Sequence, residues 1–139
     1  AYLKTKQQYL KTYPQVKPTL MKLKKRRLKL GLLTNAPKLK AYQRLDAVGL
    51  TDLFDLIVTE AKKPAKKSYQ KVLKQLKLKP EEVLVVGDSP KLDLRRAKMM
   101  GMKTCLADYG YIHYPHKRFI KPDYKIGKIE ELVKVLENM

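Results

Sequence analysis

The sequence predicts an α/β domain built on a doubly wound parallel sheet, and three observations carry that expectation. Short apolar runs alternate with helical apolar stripes along the chain. The run Val83-Leu84-Val85-Val86 is apolar without interruption, as in a strand covered on both faces. Two strands end in polar loops, Thr34-Asn35 and Gly87-Asp88-Ser89, at the kind of edge where open α/β sheets gather ligands.

Taken in order, residues 1–12 read as the end of a helix, with Leu3 and Leu10 one heptad apart, and Pro14 breaks it. A second helix runs to about Lys25, with Val16, Leu20 and Leu23 on one face. Residues 28–33 form the first strand. Leu39, Tyr42, Leu45 and Val48 recur at helical spacing, and Gly49 closes that helix. Residues 56–59 are the next strand. Tyr69, Val72, Leu73 and Leu76 mark a helix from about Lys66, and the strand 83–86 follows Pro80-Glu81-Glu82. Pro90 starts a helix to about Met100, stopped by Gly101, and residues 103–107 form another strand. Residues 108–124 are irregular, 124–126 a short last strand, and Ile129, Leu132, Val133 and Leu136 line a terminal helix.

At 139 residues and 44% hydrophobic content the chain has one domain's worth of core. It lacks the run of about 18 apolar residues that a membrane helix needs. Its polar, lysine-rich start does not resemble a secretory signal. Cys105, the single cysteine, precludes an internal disulfide, and together these features point to the cytoplasm. Thirty-two Lys and Arg against 13 Asp and Glu give a formal charge of +19. No acidic residue precedes Asp46, while residues 17–29 hold seven basic ones, among them Lys22, Lys24, Lys25, Arg26, Arg27 and Lys29. Such a field favours polyanions such as RNA, but solubility or thermal adaptation produces the same excess of lysine.

The residues that follow the strands carry the chemistry. Thr34 and Asn35 offer a hydroxyl, an amide and loop N–H groups to an anion. Lys63 brings an ammonium to the same edge, and Asp88 with Asp93 brings two carboxylates. Together these make a site for a phosphate and a hard cation, with oxygen ligands that suit Mg²⁺ better than Zn²⁺. Each piece also has a plainer reading. Thr-Asn is a common turn, a single lysine is usually a solvated charge, Gly-Asp-Ser before Pro90 is a possible tight turn with an N-cap, and Asp93 suits a helix's first turn. The order and spacing of the set are what make it specific.

On these residues the chain resembles the haloacid dehalogenase (HAD) superfamily. LLTNAP is similar to its second motif, Lys63-Pro64 to the third and GDSPKLD to the fourth, and the phrases RRAKMMGMKTCLADYG and PDYKI follow its pattern. The resemblance implies a HAD-like Rossmannoid sheet, with residues 1–12 ending a helical cap segment and 13–139 forming a core domain incomplete at its amino terminus. It implies that Thr34 and the Asn35 backbone bind the transferring phosphoryl group and that Lys63 neutralises charge. Asp88 would bind Mg²⁺, and Asp93 would hold a metal-bound water or Lys63. Gly-Asp-Ser is the phosphatase form of the motif rather than the dehalogenase form, so a small phosphorylated substrate is implied.

The family's first motif, Asp-x-Asp on the central first strand, has no counterpart here, because Asp46 is the earliest aspartate and falls inside a predicted helix. The expectation is therefore a sheet lacking its central strand, completed by an N-terminal segment or a partner chain, and a chain inactive alone. Two functions compete: part of a Mg²⁺-dependent phosphohydrolase, or an inactive basic domain that binds RNA or a ribonucleoprotein. The pair His113 and His116 falls in a loop rather than on a helix and does not read as a metal site, and the loop tyrosines Tyr109, Tyr111 and Tyr114 read as packing on the sheet's end rather than lining a substrate pocket or stacking on a base.

Overall fold

The computed structural model describes residues 2–3, 15–63, 65–108 and 121–139, with no side-chain placement for residues 2–3. The elements are β1 (Tyr2–Leu3), α1 (Val16–Lys25), β2 (Gly31–Leu33), α2 (Lys38–Ala47), β3 (Leu56–Val58), α3 (Lys66–Leu76), β4 (Leu84–Gly87), a π-helical turn (Pro90–Leu94), α4 (Arg95–Met99), β5 (Lys103–Ala107), β6 (Tyr124–Ile126) and α5 (Glu131–Glu137). All the strand pairs are parallel, in the order β3-β2-β1-β4-β5-β6. Among the described residues no helix is long and apolar enough to cross a membrane.

Alternation along the strands divides the core in two, because successive strand side chains point to opposite faces. Leu32, Leu84, Val86, Cys105 and Ala107 pack on one face with Val16, Leu20 and Leu23 of α1 and Leu132 of α5. Leu33, Val85 and Leu106 pack on the other with Tyr69, Val72 and Leu76 of α3 and Ala97 of α4. Helices therefore cover both faces, which is why the strands read as continuous apolar runs. Cys105 is part of this core. Burial chiefly, helped by the charge of Glu131, pushes its thiol up to about 12, so it packs as an apolar residue.

The architecture is the expected one, with a difference at its centre. The place expected to lack a strand holds β1, where Tyr2 lies level with Gly31 of β2 and Val85 of β4, and Leu3 level with Val86. The reason is that unpaired N–H and C=O groups facing each other across a gap are costly, and even two residues of strand relieve part of that cost. Tyr2–Leu3 are thus strand, not the end of a helix as expected for residues 1–12, and residues 4–12 lie outside the described residues. β1 brings no carboxylate to the sheet.

Two smaller differences concern boundaries. The helix expected from Pro90 to Met100 is a π turn followed by a short α-helix. The strand expected from residue 28 begins at Gly31, because the Leu30 N–H is taken by the Asp55 carboxylate at 2.7 Å. Gly49 does close α2, in the left-handed conformation at φ +70° that favours glycine.

At the far edge of the sheet, Asp123 clips β6 to β5. Its Oδ2 accepts from Thr104 N–H at 2.9 Å and from the Thr104 hydroxyl at 3.0 Å, and Lys98 approaches its other oxygen at 3.7 Å. Burial alone would raise this carboxyl's pKa, but the two hydrogen bonds from Thr104 and the charges of Lys98 and Lys103 outweigh it and hold the pKa below the usual value. A lowered pKa adds stability that is full above the unfolded-state value and is lost as pH falls through the folded value. Melting temperature followed by circular dichroism should therefore drop as pH falls below about 4, and Asp123→Asn should flatten that drop.

Candidate active site

The site lies at the carboxyl ends of β2, β3 and β4, and backbone hydrogen bonds join the loops that form it. Thr34 N–H donates to Val58 O at 2.9 Å, Ala61 N–H to Thr34 O at 3.0 Å, and Glu60 N–H to Ala36 O at 2.9 Å. The Asn35 side chain adds a fourth link, its Oδ1 accepting from Lys63 N–H at 2.7 Å. Asn35 was expected to contribute through its backbone; its side chain also positions the lysine loop. The Thr34 hydroxyl oxygen accepts from Ala36 N–H at 3.1 Å, which leaves its hydrogen to be donated outward.

The loop after β3 turns through two left-handed residues that are not glycine, Glu60 at φ 51° and Lys62 at φ 54°. Such conformations cost free energy and persist where surrounding bonds enforce them, here the links to Thr34, Asn35 and Ala36. Glu60 and Lys62 face solvent, while Ala61 and Lys63 turn inward. Ser68 at the start of α3 holds this arrangement by donating its hydroxyl to Ala61 O.

Lys63 and Asp93 form an ion pair whose side chains are both 0% exposed, with Nζ 2.9 Å from Oδ1. The other Asp93 oxygen accepts from Ser89 N–H at 3.1 Å. The π turn aims Asp93 inward: the Ser89 hydroxyl oxygen caps it by accepting from Leu92 N–H, and Arg95 N–H reaches back to Pro90 O. From α3 the Tyr69 hydroxyl lies 2.9 Å from both Leu92 O and Asp93 O. Burial first, then the nearby Asp93 charge, pushes the Tyr69 phenol well above its ordinary value, so it remains a donor.

Gly87 makes room for this pair. A Cβ there would lie 2.5 Å from Asp93 Cβ and 2.5 Å from its Oδ2. Asp88, the next residue, is partly exposed, yet its Oδ2 is buried without a hydrogen-bond partner among the described residues. An orphaned carboxylate oxygen is costly unless a cation or water meets it. Asp108, at the end of β5, is a third carboxylate on this edge and pairs with Lys125 at 3.1 Å.

The structure thus brings Thr34, Asn35, Lys63, Asp88 and Asp93 to one edge. Sequence reasoning missed Gly87 as a steric requirement and the Tyr69 hydroxyl as a clamp. Tyr69 sits in an apolar helical stripe, and nothing in that spacing signals a bond to a turn 23 residues away. His113, His116 and the tyrosines at 109, 111 and 114 lie outside the described residues. Of the basic cluster, Lys24 pairs with Asp55 at 2.8 Å, Arg26 with Glu137 at 2.6 Å, and Lys29 Nζ donates to Leu76 O at 2.7 Å. Those three serve the fold, while Lys22, Lys25 and Arg27 are exposed.

Comparison with known proteins matches residues 1–107 to the haloacid dehalogenase-like hydrolase family. The chain is 34% identical to glyceraldehyde 3-phosphate phosphatase of Pyrococcus furiosus over 99% of its own length and 59% of that protein's. It is also 34% identical to phosphoglycolate phosphatase of Aquifex aeolicus, over 99% of its length and 64% of that protein's. A HAD phosphatase structure from Thermococcus onnurineus superposes with a TM-score of 0.78 at 32% identity, covering 89% of this chain and 57% of that one. The chain therefore spans about three fifths of the length of the curated relatives it matches.

Two substitutions test the geometry. Lys63→Met strands the Asp93 charge in the core and should cost about 3–5 kcal/mol in urea unfolding, much of it recovered when Asp93→Leu is added. Gly87→Ala should cost about 1–3 kcal/mol through overpacking against Asp93.

Proposed function

The chain belongs to the haloacid dehalogenase-like hydrolases, and we propose that it forms the phosphate- and metal-binding side of a Mg²⁺-dependent phosphohydrolase acting on a small phosphorylated substrate. The observation that carries this reading is the Asp88 Oδ2, buried and without a hydrogen-bond partner among the described residues, at the same carboxyl edge of the sheet as the buried Lys63.

The residues present fit a magnesium ion. Asp88 offers an anionic oxygen without another partner among the described residues. Among those residues no group of three His, Cys, Asp or Glu gathers, so an all-protein cage is absent there. Mg²⁺ suits such a place, because it keeps several waters and takes one or two carboxylates together with phosphate oxygens. The ion would supply charge neutralisation at the phosphoryl oxygens.

In this reading the Thr34 hydroxyl and the loop amides bind phosphoryl oxygens. Lys63 places fixed positive charge against the developing negative charge, which stabilises the transition state without reorganisation. Asp93 acts one step back: both its oxygens are engaged within the protein, so it orients Lys63 rather than binding the ion directly. The group that attacks phosphorus is not among these residues. The earliest aspartate, Asp46, is on α2, where its Oδ1 accepts from the Thr51 hydroxyl. In this reading the nucleophilic carboxylate is carried by polypeptide other than these 139 residues.

Isothermal titration of the 139-residue chain should show Mg²⁺ binding that Asp88→Asn removes without lowering the melting temperature, and no hydrolysis of an aryl phosphate. Turnover by the chain alone would refute the assignment of the nucleophile, and unchanged Mg²⁺ binding in Asp88→Asn would refute that of the metal ligand. When an Asp-x-Asp strand is supplied upstream, hydrolysis should appear, and Lys63→Ala or Asp88→Ala should lower it about 10²-fold.

A further inference from the structure

Acidic side chains are shared unevenly between the two sides of the sheet. On the side of α1, α2 and α5, cations meet acids: Lys24 pairs with Asp55 and Arg26 with Glu137. Asp46 and Glu131 lie on the same helices. The side covered by α3 and α4 is different. No acidic residue occurs from Ala61 to Pro80, and from Ser89 to Ala107 the one acid, Asp93, is buried against Lys63. Lys66, Lys67, Lys71 and Lys74 of α3, Lys91 of the π turn and Arg95 of α4 are exposed. None of them forms an ion pair among the described residues. The Tyr69 hydroxyl joins α3 to the turn that leads into α4, so the two helices present their outward sides together.

On α3, Lys67, Lys71 and Lys74 recur at spacings of four and three, which lines them along one stripe. They span about 10 Å of helix, a length over which one strand of a duplex carries about three phosphates. Such a stripe works against the helix itself. Like charges four apart repel. Lys66 and Lys67 stand in the first turn, where the helix dipole disfavours cations and neither an acid nor a side-chain cap offsets them. Solubility needs only net charge, which lysines at neutral positions supply equally well. A stripe kept at a cost to its own helix fits a surface whose charge is met from outside.

We propose that α3 and α4 form a docking face for the phosphate backbone of a nucleic-acid duplex, bound without regard to base sequence. Charge complementarity selects a polyanion, and the make-up of the face selects among polyanions. All but Arg95 are lysines, which act as point charges and lack the planar fork that reads base edges. Neither helix exposes an aromatic ring on which unpaired bases could stack, which favours a duplex over a single strand. A lipid surface needs an apolar helical side, but Tyr69, Val72 and Leu76 of α3 are buried in the core. On α4 the large apolar side chain that is exposed is Met99. Protein interfaces are depleted in lysine, which disfavours an acidic protein. The inference concerns surface charge and does not rest on the phosphatase reading.

Fluorescence anisotropy with a DNA duplex of about 20 base pairs measures the affinity of the 139-residue chain as salt is varied. Binding should weaken about 10³-fold between about 50 and 200 mM salt, and two unrelated sequences should agree within about threefold. Lys67→Gln, Lys71→Gln and Lys74→Gln together should lower the slope of log affinity against log salt by about 2–3. Lys22→Gln, Lys25→Gln and Arg27→Gln remove the same charge from the other side and should lower it by less than about 1. Should the α3 triple variant fail to fold, Lys71→Gln alone should lower the slope by about 1. Equal losses from the two triple variants would assign binding to net charge and overturn the proposal. So would no binding at about 50 mM salt, a preference between duplexes beyond about threefold, or tighter binding to vesicles of anionic phospholipid.

Discussion

Two opposite charges with no solvent exposure, Lys63 and Asp93, constrain more of this structure than any other contact. Moving either ion out of water is expensive, and only close geometry with every remaining group satisfied offsets that expense. The surroundings are arranged accordingly. Ser89 N–H satisfies the second Asp93 oxygen, the Tyr69 hydroxyl holds the carbonyls of the turn, and Asn35 holds the backbone of Lys63. The π turn, the left-handed residues Glu60 and Lys62, and the bare Cα of Gly87 all follow from bringing those two side chains together at the end of β4.

That arrangement also divides the labour between the two aspartates of the fourth-motif phrase. Asp93 spends its charge inside the protein, and Asp88, five residues earlier, keeps an oxygen without a partner among the described residues. One carboxylate thus fixes a lysine, while the other keeps a buried oxygen that no described residue meets. The 34% identity to phosphatases agrees with that chemistry, although it extends over only about three fifths of those proteins.

The other end of the molecule is organised by charge in a different way. Lys24 and Arg26 pair with Asp55 and Glu137, and Lys29 donates to the carbonyl end of α3, so part of the basic run at residues 22–29 closes the amino-terminal edge of the sheet. A run of like charge in a sequence is therefore not one surface. It separates here into cations that tie elements together and cations such as Lys22, Lys25 and Arg27 that face water.

The sequence by itself determined the α/β class, the family resemblance and the set Thr34, Asn35, Lys63, Asp88 and Asp93. Apolar periodicity is a local property, and ligands in such sheets collect at strand ends, so both can be read along the chain. Only the tertiary structure decided which aspartate pairs with Lys63, that Tyr69 clamps the turn, and that Gly87 must lack a side chain. The first two depend on atoms from segments about 20 to 30 residues apart meeting within 3 Å, and the third on how the turn after β4 folds Asp93 back over Gly87; spacing along a chain encodes neither distance. The central strand shows the same limit. Tyr2–Leu3 carries no signal separating it from the helix expected there, and its place between β2 and β4 is set by the backbone groups those strands present.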